Sequence, residues 1–461
     1  MADEWRRYDV GQLIEEDKLV IGDGYRAKND ELGSHGLPFA RAGNINEGFQ
    51  FSNADHFPEQ NLARVGNKVS EPGDVVFTSK GTVGRFAFVT LTTPRFVYSP
   101  QLCFWRSLDH ETIHPRFLYY WMFGREFFVQ FKGVAGQTDM AEYVSLGDQR
   151  RMRLTLPPQP EQCAIAHILG TLDDKIELNR RMNETLETTA RTLFKSWFVD
   201  FLPVRAKQRA RTQTGDPVRA KAEGRLPAEA SAQAGDTGLP SHIADLFPDS
   251  FEDSELGEIP KGWEVGTLAD FSSLNPEAWS KEARPAVISY VDLSSTKWGR
   301  IEKVTAYAQQ DAPSRAQRVL RPHDTIIGTV RPGNGSYALI SEHGLTGSTG
   351  FAILRPLRVP YAEFVYFAAT ATENIEALSH VADGGAYPAV RPEAVAATQV
   401  IRPGDEVLGT FSRVTGPLLV KLVQNERESG TLAALRDALL PKLMTGSIRV
   451  SHGAKLVEVN T

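Results

Sequence analysis

The chain has 461 residues, enough for two or three domains with hydrophobic cores of their own. Its 41% hydrophobic and 23% charged residues are typical of a globular protein, which excludes wholesale disorder, collagen and a disulfide scaffold. The 51 basic and 57 acidic residues leave a formal net charge of −6, which taken alone argues against a nucleic-acid binder.

Signals for a compartment are few. The two cysteines, Cys103 and Cys163, have no CxxC spacing, which favours free thiols in a reducing cytosol over a disulfide or a zinc site. The N-terminus is acidic and has no apolar h-region, and no apolar run approaches about 18 residues. We therefore expect a cytoplasmic protein with no metal site, no signal peptide and no membrane span.

Residues 1–158 are expected to form a first mixed α/β domain. Short β-type runs lie at 74–78, 85–89 and 151–156, and the segment 115–132 has the broad apolar face of a helix. The proline cluster that follows the last of these runs ends the domain.

A long helix is predicted for residues 159–202. From Ile165 to Trp197, apolar residues and asparagines recur at alternating spacings of four and three, which is the seam of a coiled coil kept over about five heptads. Two asparagines lie in mid-seam, where polar side chains fix register and partner at some cost in stability. The seam positions expected to pair with a second helix are Leu172, Ile176, Asn179 and Asn183.

The rest of the chain repeats this order after a linker. Residues 203–260 are rich in Ala, Arg, Gln, Gly and Pro and contain the unit PVRAK twice, which is typical of a flexible polar linker. A second mixed α/β domain is predicted over 261–403, a second long helix over 404–446, and a C-terminal tail over 447–461.

The two halves of the chain resemble each other. The positions that lie 246 residues beyond the first seam include Leu418, Leu422 and Asn425, so that an asparagine recurs in the polar layer. Matches upstream keep their order while the offset grows to 255. An order-preserving match with small changes in offset is what a duplication leaves.

We therefore predict an α+β fold with a pseudo-twofold internal repeat, in which two long antiparallel coiled-coil helices separate two mixed α/β domains. About 35 residues per helix give a rod of about 50 Å, which is one to one-and-a-half turns of DNA. Such a rod would act as a ruler between two DNA-reading domains.

Charge is distributed unevenly along the chain. Residues 211–260 hold 4 basic and 10 acidic residues and so account for the whole net charge, whereas residues 61–160 hold 12 basic and 8 acidic residues. The net charge therefore does not count against nucleic acid, although the surface expected to face DNA is only modestly basic.

Sequence motifs of catalysis are missing. The chain has no GxxxxGK(S/T), GxSxG or HExxH string, and NPEA at 275–278 lacks the second proline and the aromatic residue of an amino-methyltransferase tetrad. Asp249, Glu258 and Lys261 resemble a nuclease motif only loosely, and we expect no catalytic residue. A self-contained DNA methyltransferase or nuclease, and a coiled-coil adaptor that does not touch DNA, remain the alternatives.

Two pairs of polar loops are candidates for contact with nucleic acid. The loop 78–85 and its counterpart 329–337 combine glycines and hydroxyls with basic or amide side chains that pair with bases and phosphates. Glycine loops at 136–138 and 384–387 precede each return to a long helix, and ordinary hairpin turns or helix caps are the open alternatives. The candidate DNA-binding residues are Lys80, Arg85, Gln137, Thr138, Arg331, Asn334, Ser336 and Tyr387.

Several strings carry a resemblance to a known family. They are LPPQPEQ at 156–162, LDDKIELN at 172–179, LFKSWF at 193–198, GEIPKGW at 257–263 and LLPKLMTG at 439–446. With them, the chain resembles the specificity (S) subunit of type I restriction–modification enzymes over its whole length. It departs from the family in its long 203–260 insert and in a second helix without the DDKI string, which implies different partner contacts there.

The resemblance implies a non-catalytic subunit with two target-recognition domains, each reading one part of a split sequence in double-stranded DNA. The long helices would space these domains and dock two modification subunits, which carry S-adenosylmethionine and methylate adenine N6 after flipping the base out of the duplex. Restriction subunits would add ATP- and Mg-dependent translocation and cleavage. The chain itself is then expected to need no cofactor.

Overall fold

The structure is a computed structural model that describes residues 5–46, 48–79, 84–135, 144–214, 239–280, 283–385 and 387–450. The chain forms two compact units: the first comprises Met1–Asn179 and Arg427–Thr461, and the second comprises Arg180–Glu426. Both predicted long helices contribute residues to both units. The predicted domain boundaries, which separate the helices from the domains, stay predictions.

The strands of the first unit are β1 (Arg6–Asp9), β2 (Leu19–Asp23), β3 (Leu37–Ala40), β4 (His56–Phe57), β5 (Val75–Thr78), β6 (Phe86–Phe88), β7 (Val97–Tyr98), β8 (Leu102–Ser107) and β9 (Arg153–Leu156). Strands β2-β8-β5-β6, in that order, form an antiparallel sheet. In a second sheet β3 lies antiparallel to β4 and parallel to β7, and β1 pairs with β9.

The helices of the first unit are α1 (Val10–Glu15), α2 (Pro115–Met122), α3 (Arg125–Ala135), α4 (Leu146–Arg150) and, shared with the second unit, α5 (Gln159–Phe198). Helix α2 begins at Pro115 because the His114 side chain accepts the N–H of Phe117 (3.3 Å). Burial lowers the pKa of His114 and keeps this acceptor neutral. Trp105 and Trp121 stack in the core, with 5.9 Å between their ring centroids.

The strands of the second unit are β10 (Phe251–Ser254), β11 (Gly257–Pro260), β12 (Glu264–Thr267), β13 (Ser272–Leu274), β14 (Val287–Val291), β15 (Thr296–Lys297), β16 (Arg300–Ile301), β17 (Thr305–Ala308), β18 (Ala316–Val319), β19 (Thr325–Gly328), β20 (Tyr337–Leu339), β21 (Leu345–Ser348), β22 (Phe351–Pro356) and β23 (Gln399–Arg402). Strands β13-β22-β19-β20 form an antiparallel sheet. A mixed sheet has the order β17-β14-β21-β18, with β14 parallel to β21.

The helices of the second unit are α6 (Leu202–Thr214), α7 (Ser241–Ala244), α8 (Ala362–Ala369), α9 (Thr372–His380), α10 (Pro392–Ala396) and the shared α11 (Asp405–Met444). Its core joins aromatic rings of the long helices to α8: Phe198 lies 5.0 Å from Phe411 and 5.1 Å from Phe364, measured between ring centroids. Within the described ranges, no helix is both long enough and apolar enough to cross a membrane.

The described ends of the 203–260 segment differ from the flexible linker that the composition predicts. They contain α6 and the β10–β11 hairpin, and Val204 and Ile259 are buried in the core of the second unit. Lys207 Nζ also donates to the carbonyl oxygen of Phe247 (2.6 Å). A few well-spaced apolar residues therefore anchor a segment whose overall composition is polar. The second PVRAK unit, at 217–221, lies outside the described residues.

The internal repeat is present in the topology. The antiparallel sheets β2-β8-β5-β6 and β13-β22-β19-β20 follow the same chain order, and each unit has one parallel strand pair in its other sheet. Each antiparallel sheet also carries a bidentate ion pair that buries the aspartate completely. Arg106 binds Asp74 (2.6 and 2.8 Å), and Arg355 binds Asp324 (2.8 and 2.9 Å).

The long helices pair antiparallel in the first unit. Asn179 Nδ2 of α5 donates to Ser429 Oγ of α11 (3.3 Å), and Arg436 Nη1 of α11 donates to Asp173 Oδ1 of α5 (2.8 Å). From the first contact to the second, the residue number falls on α5 and rises on α11, so the two helices run in opposite directions.

The second unit repeats this pairing. Asn425 Nδ2 donates to Asn183 Oδ1 (2.8 Å), and Phe194 packs on Phe411 with 6.2 Å between ring centroids. A shift of 246 residues maps the Asn179–Ser429 pair onto the Asn425–Asn183 pair. The predicted α+β fold class, with mixed units, paired antiparallel helices and an internal repeat, is confirmed. The other predicted pairing positions are half-buried: Leu172, Ile176, Leu418 and Leu422.

The LDDKIELN string acts within the first unit. Asp173 accepts hydrogen bonds from Tyr120 Oη (2.6 Å) and Arg436, and Asp174 accepts both terminal nitrogens of Arg116 (2.8 and 2.6 Å). Burial and the neighbouring Asp173 carboxylate raise the pKa of Tyr120, so the phenol stays a donor. The two aspartates therefore fasten α2 to the long helices.

Candidate nucleic-acid interface

Of the four candidate residues of the first unit, the structure describes Arg85. Lys80, Gln137 and Thr138 lie outside the described residues. Arg85 stands just before β6, where its backbone N–H donates to Thr78 Oγ1 (3.2 Å) and its Nη1 donates to the carbonyl oxygen of Ala42 (3.2 Å). The half-buried guanidinium is thus held against the 3₁₀ turn Ala42–Ile45.

In the second unit the structure brings the four candidate residues together. Arg331, Asn334, Ser336 and Tyr387 line one open cleft with a volume of about 1070 Å³. The cleft is also lined by Asp292, Leu293, Ser294, Lys297, Trp298, Arg315, Val330 and Gly350. Residues from segments almost a hundred positions apart therefore form one surface.

Backbone hydrogen bonds position the loops of this cleft. The N–H of Arg331 donates to the carbonyl oxygen of Pro388 (2.7 Å), and Val330 forms an isolated antiparallel bridge with Ala389. These contacts tie the loop after β19 to the segment that carries Tyr387. Arg331 has a φ of 48°, a left-handed conformation that costs a non-glycine residue on the order of 1–3 kcal/mol.

The side chain of Arg331 is directed by an aromatic ring. Its Cζ lies 5.0 Å from the centroid of Tyr387, and Tyr387 is 73% exposed. A cation–π contact at an exposed site contributes about 0.5–1 kcal/mol, which orients a guanidinium without burying it. Arg331 and Asn334 are both exposed residues that line the cleft.

Ser336 has a different position from the other three. It is buried, and its Oγ donates to the carbonyl oxygen of Leu293 (3.1 Å). The neighbouring backbone closes the loop, since the N–H of Gly328 donates to the carbonyl oxygen of Ser336 (2.6 Å). Ser336 thus joins the loop after β19 to the turn at 292–295, and its hydroxyl is already engaged.

Sequence reasoning missed Lys297, Trp298 and Arg315. They come from segments without a glycine-rich basic loop, and only the folded sheets bring them beside Arg331. One signal was available in the string Lys297-Trp298-Gly299-Arg300, where a glycine follows a tryptophan between two cations.

The charges of the cleft favour an anionic ligand. Among the described lining residues, three side chains are cationic and one, Asp292, is a carboxylate. The carboxylate accepts the N–H of Leu293 (2.9 Å) and the hydroxyl of Tyr290 (3.2 Å), so it is committed to the turn. Burial raises the pKa of Tyr290 and keeps its hydroxyl protonated. Cations, an amide and exposed aromatic rings are the groups that contact nucleic acids.

The described part of the chain holds no cluster of three or more His, Cys, Asp or Glu side chains that could bind a metal ion. Cys103 is buried and Cys163 half-buried, and burial raises the pKa of the Cys163 thiol. A thiol of that kind is a poor nucleophile.

Comparison with known proteins gives consistent results. Residues 3–188 match the family described as "Type I restriction modification DNA specificity domain". The type I restriction enzyme HindI specificity subunit of Haemophilus influenzae is 25% identical over 426 residues, which cover 87% of this chain and 90% of the relative. The type I restriction enzyme MjaIX specificity subunit of Methanocaldococcus jannaschii is 21% identical over 407 residues, covering 84% of this chain and 80% of the relative.

A solved structure supports the fold independently. The S subunit of a type I restriction–modification system from M. genitalium matches with a TM-score of 0.55 at 14% identity, over 96% of each chain. The fold is thus shared at low sequence identity.

Proposed function

We propose that this chain is a specificity subunit of the type I restriction–modification family, which reads a two-part DNA sequence for partner enzymes and performs no catalysis itself. The cleft of the second unit is the observation that carries this proposal, since it gathers Arg331, Asn334, Lys297 and Tyr387 on one open surface. The internal repeat supports a second reading surface in the first unit.

The cleft is suited to both parts of DNA recognition. Arg331 and Asn334 are the side-chain types that pair bidentately with guanine and adenine in the major groove. Lys297 and Arg315 are suited to phosphates, which position a protein without reading sequence. Tyr387 holds Arg331 and presents a hydroxyl of its own.

For the first unit we propose Lys80, Arg85, Gln137 and Thr138 as DNA contacts. Arg85 uses one nitrogen for the Ala42 carbonyl, and a guanidinium carries five N–H donors, so other donors remain for DNA. Ser336 is proposed to support the second unit's reading loop through its buried hydroxyl.

We propose target-recognition domains over 1–158 and 261–403 and spacer helices over 159–202 and 404–446, with 203–260 as linker and 447–461 as tail. Pairing of the helices through Leu172, Ile176, Asn179, Asn183, Leu418, Leu422 and Asn425 would set the spacing of the two half-sites. Lengthening both helices would then change the spacer and leave each half-site intact.

The proposed partners are double-stranded DNA, two modification subunits and restriction subunits in the cytoplasm. Exposed apolar side chains on the long helices, Leu178, Val420 and Leu435, support docking of other subunits. S-adenosylmethionine, ATP and Mg²⁺ would be bound by those partners. A self-contained DNA methyltransferase or nuclease is not favoured by the relatives, which are specificity subunits.

Co-expression with the cognate modification subunits, followed by sequencing of methylated adenines, tests the proposal. We expect methylation at one bipartite site with a fixed spacer, and none when either the chain or its partners are expressed alone. Methylation by the purified chain, or a site in one continuous piece, would contradict the proposal.

A further inference from the structure

Trp298 occupies an unusual backbone position. It is the first of two residues that join β15 to β16, whose ends Lys297 and Arg300 pair directly. Trp298 has a φ of 47° and Gly299 a φ of 88°, so both central residues are left-handed. Asn, Asp or Gly normally takes this first position, because a bulky side chain is strained there.

The loop after β19 holds one side of the indole. A Cβ added to Gly335 would lie 2.6 Å from atoms of the Trp298 ring, so the ring packs directly on that glycine. The N–H of Trp298 donates to the carbonyl oxygen of Gly335 (2.6 Å), and the Tyr337 ring lies perpendicular to the indole at 6.0 Å. Trp298 is therefore fixed in orientation on the loop of Arg331 and Asn334.

The packing of Trp298 does not explain the strain. The residue is 57% exposed, whereas Trp105 and Trp197 are almost completely buried in the cores. An ordinary Asn-Gly turn would close the same hairpin without strain. Strained residues of this kind persist mostly where function requires the side chain.

We propose, on the premise that this cleft reads DNA, that Trp298 is a specificity-determining residue that contacts the C5-methyl group of a thymine. The methyl group is the apolar feature that a base pair presents in the major groove. An indole with one supported and one exposed face offers a matching apolar surface, beside Arg331 and Asn334, which are suited to guanine and adenine.

The complex of this chain with its modification subunits allows a direct test, with a short duplex that carries the site found by methylation sequencing. Replacing each thymine in turn by deoxyuridine removes just the methyl group. We expect one replacement, in the half-site that Arg331→Ala relaxes, to weaken binding about fourfold. Binding by the Trp298→Ala complex should be about tenfold weaker than wild type and indifferent to that replacement.

A matched control and the salt dependence separate contact from folding. Leu357 is 56% exposed and does not line the cleft, so Leu357→Ala should leave binding unchanged. The indole carries no charge, so Trp298→Ala should leave the slope of affinity against salt unchanged. Trp298→Phe should keep part of the deoxyuridine effect.

Wild-type binding that is indifferent to every deoxyuridine in that half-site would overturn the proposal, whether or not the variants fold. An unchanged methylated sequence in Trp298→Ala would overturn it too. If wild type methylates no bipartite site, the proposed function itself fails, which is a separate and earlier result.

Discussion

The two units share the strand order of their antiparallel sheets and differ in the side chains that fill their cores. In the first unit Trp105 and Trp121 stack in the core, and the matched positions of the second unit are Leu354 and Ala368. Where Ala368 stands, the second unit has an apolar pocket of about 840 Å³. The comparison shows that the strand order survives large changes in side-chain volume.

Both units keep the ion pair of an arginine with a buried aspartate. Asp74 also accepts the hydroxyl of Tyr98 (2.5 Å), and burial together with Asp74 raises the pKa of that phenol. In the second unit Arg355 also binds Glu277, as Arg106 also binds Glu71 in the first. A bidentate arginine–aspartate pair, with a glutamate bound to the same arginine, is therefore common to both sheets.

Removal of this pair should give the largest effect. We expect Asp74→Ala and Asp324→Ala each to lower the free energy of unfolding by about 3–5 kcal/mol, because each removes the buried carboxylate that binds a partly buried arginine through two hydrogen bonds. Asp74→Ala should cost more, since Tyr98 loses its acceptor as well. Urea unfolding would measure both, with the exposed Asp253→Ala as control; a loss below about 1 kcal/mol would show that the pair does not hold the sheet.

Arg331 and Arg85 are the arginines proposed to contact DNA in the second and the first unit, and their variants can be compared directly. Arg331→Ala should remove about 1–3 kcal/mol of discrimination at one base pair of a single half-site, and Arg85→Ala should act on the other half-site. Sequencing of methylated adenines would show both. Arg402 lies on β23 outside the cleft, and Arg402→Ala should leave the target sequence unchanged. If Arg331→Ala also leaves it unchanged, Arg331 does not read bases.

Filling the pocket of the second unit should give the smallest effect. Ala368→Leu places apolar volume where the first unit has Trp121, and we expect the unfolding free energy to rise by about 0.5–2 kcal/mol. Ala369 is completely buried and does not line the pocket, so Ala369→Leu should destabilise by about 1–3 kcal/mol. Equal effects of the two variants in thermal unfolding would mean that the pocket closes in solution.

The sequence predicts periodic features well. The spacing of Asn179 and Asn183 indicates the long helix and its polar layer, and the offset of 246 leads to Asn425. These predictions succeed because helix pairing depends on local periodicity. At the described ends of the 203–260 segment a few apolar residues such as Val204 are buried, and the polar composition of the segment does not reveal them.

Features that depend on distant contacts were harder to predict. The glycine-rich loops pointed to Arg331 and Tyr387, but Trp298 reaches the cleft only through the pairing of β15 with β16 and the close approach of Gly335. The contacts of the DDKI string could not be read from the sequence either, since Asp173 and Asp174 bind side chains of their own unit. Which partner an acidic side chain meets is decided by tertiary packing.

The buried Asp324–Arg355 pair has a consequence for how this protein can change. Asp324 directly precedes β19 and Arg355 lies on β22, and neither belongs to the loop that carries Arg331 and Asn334. A substitution or insertion in the loop therefore leaves the ion pair and its strands untouched. On the proposal that this loop reads DNA, its target preference can change through surface residues that do not contact the ion pair.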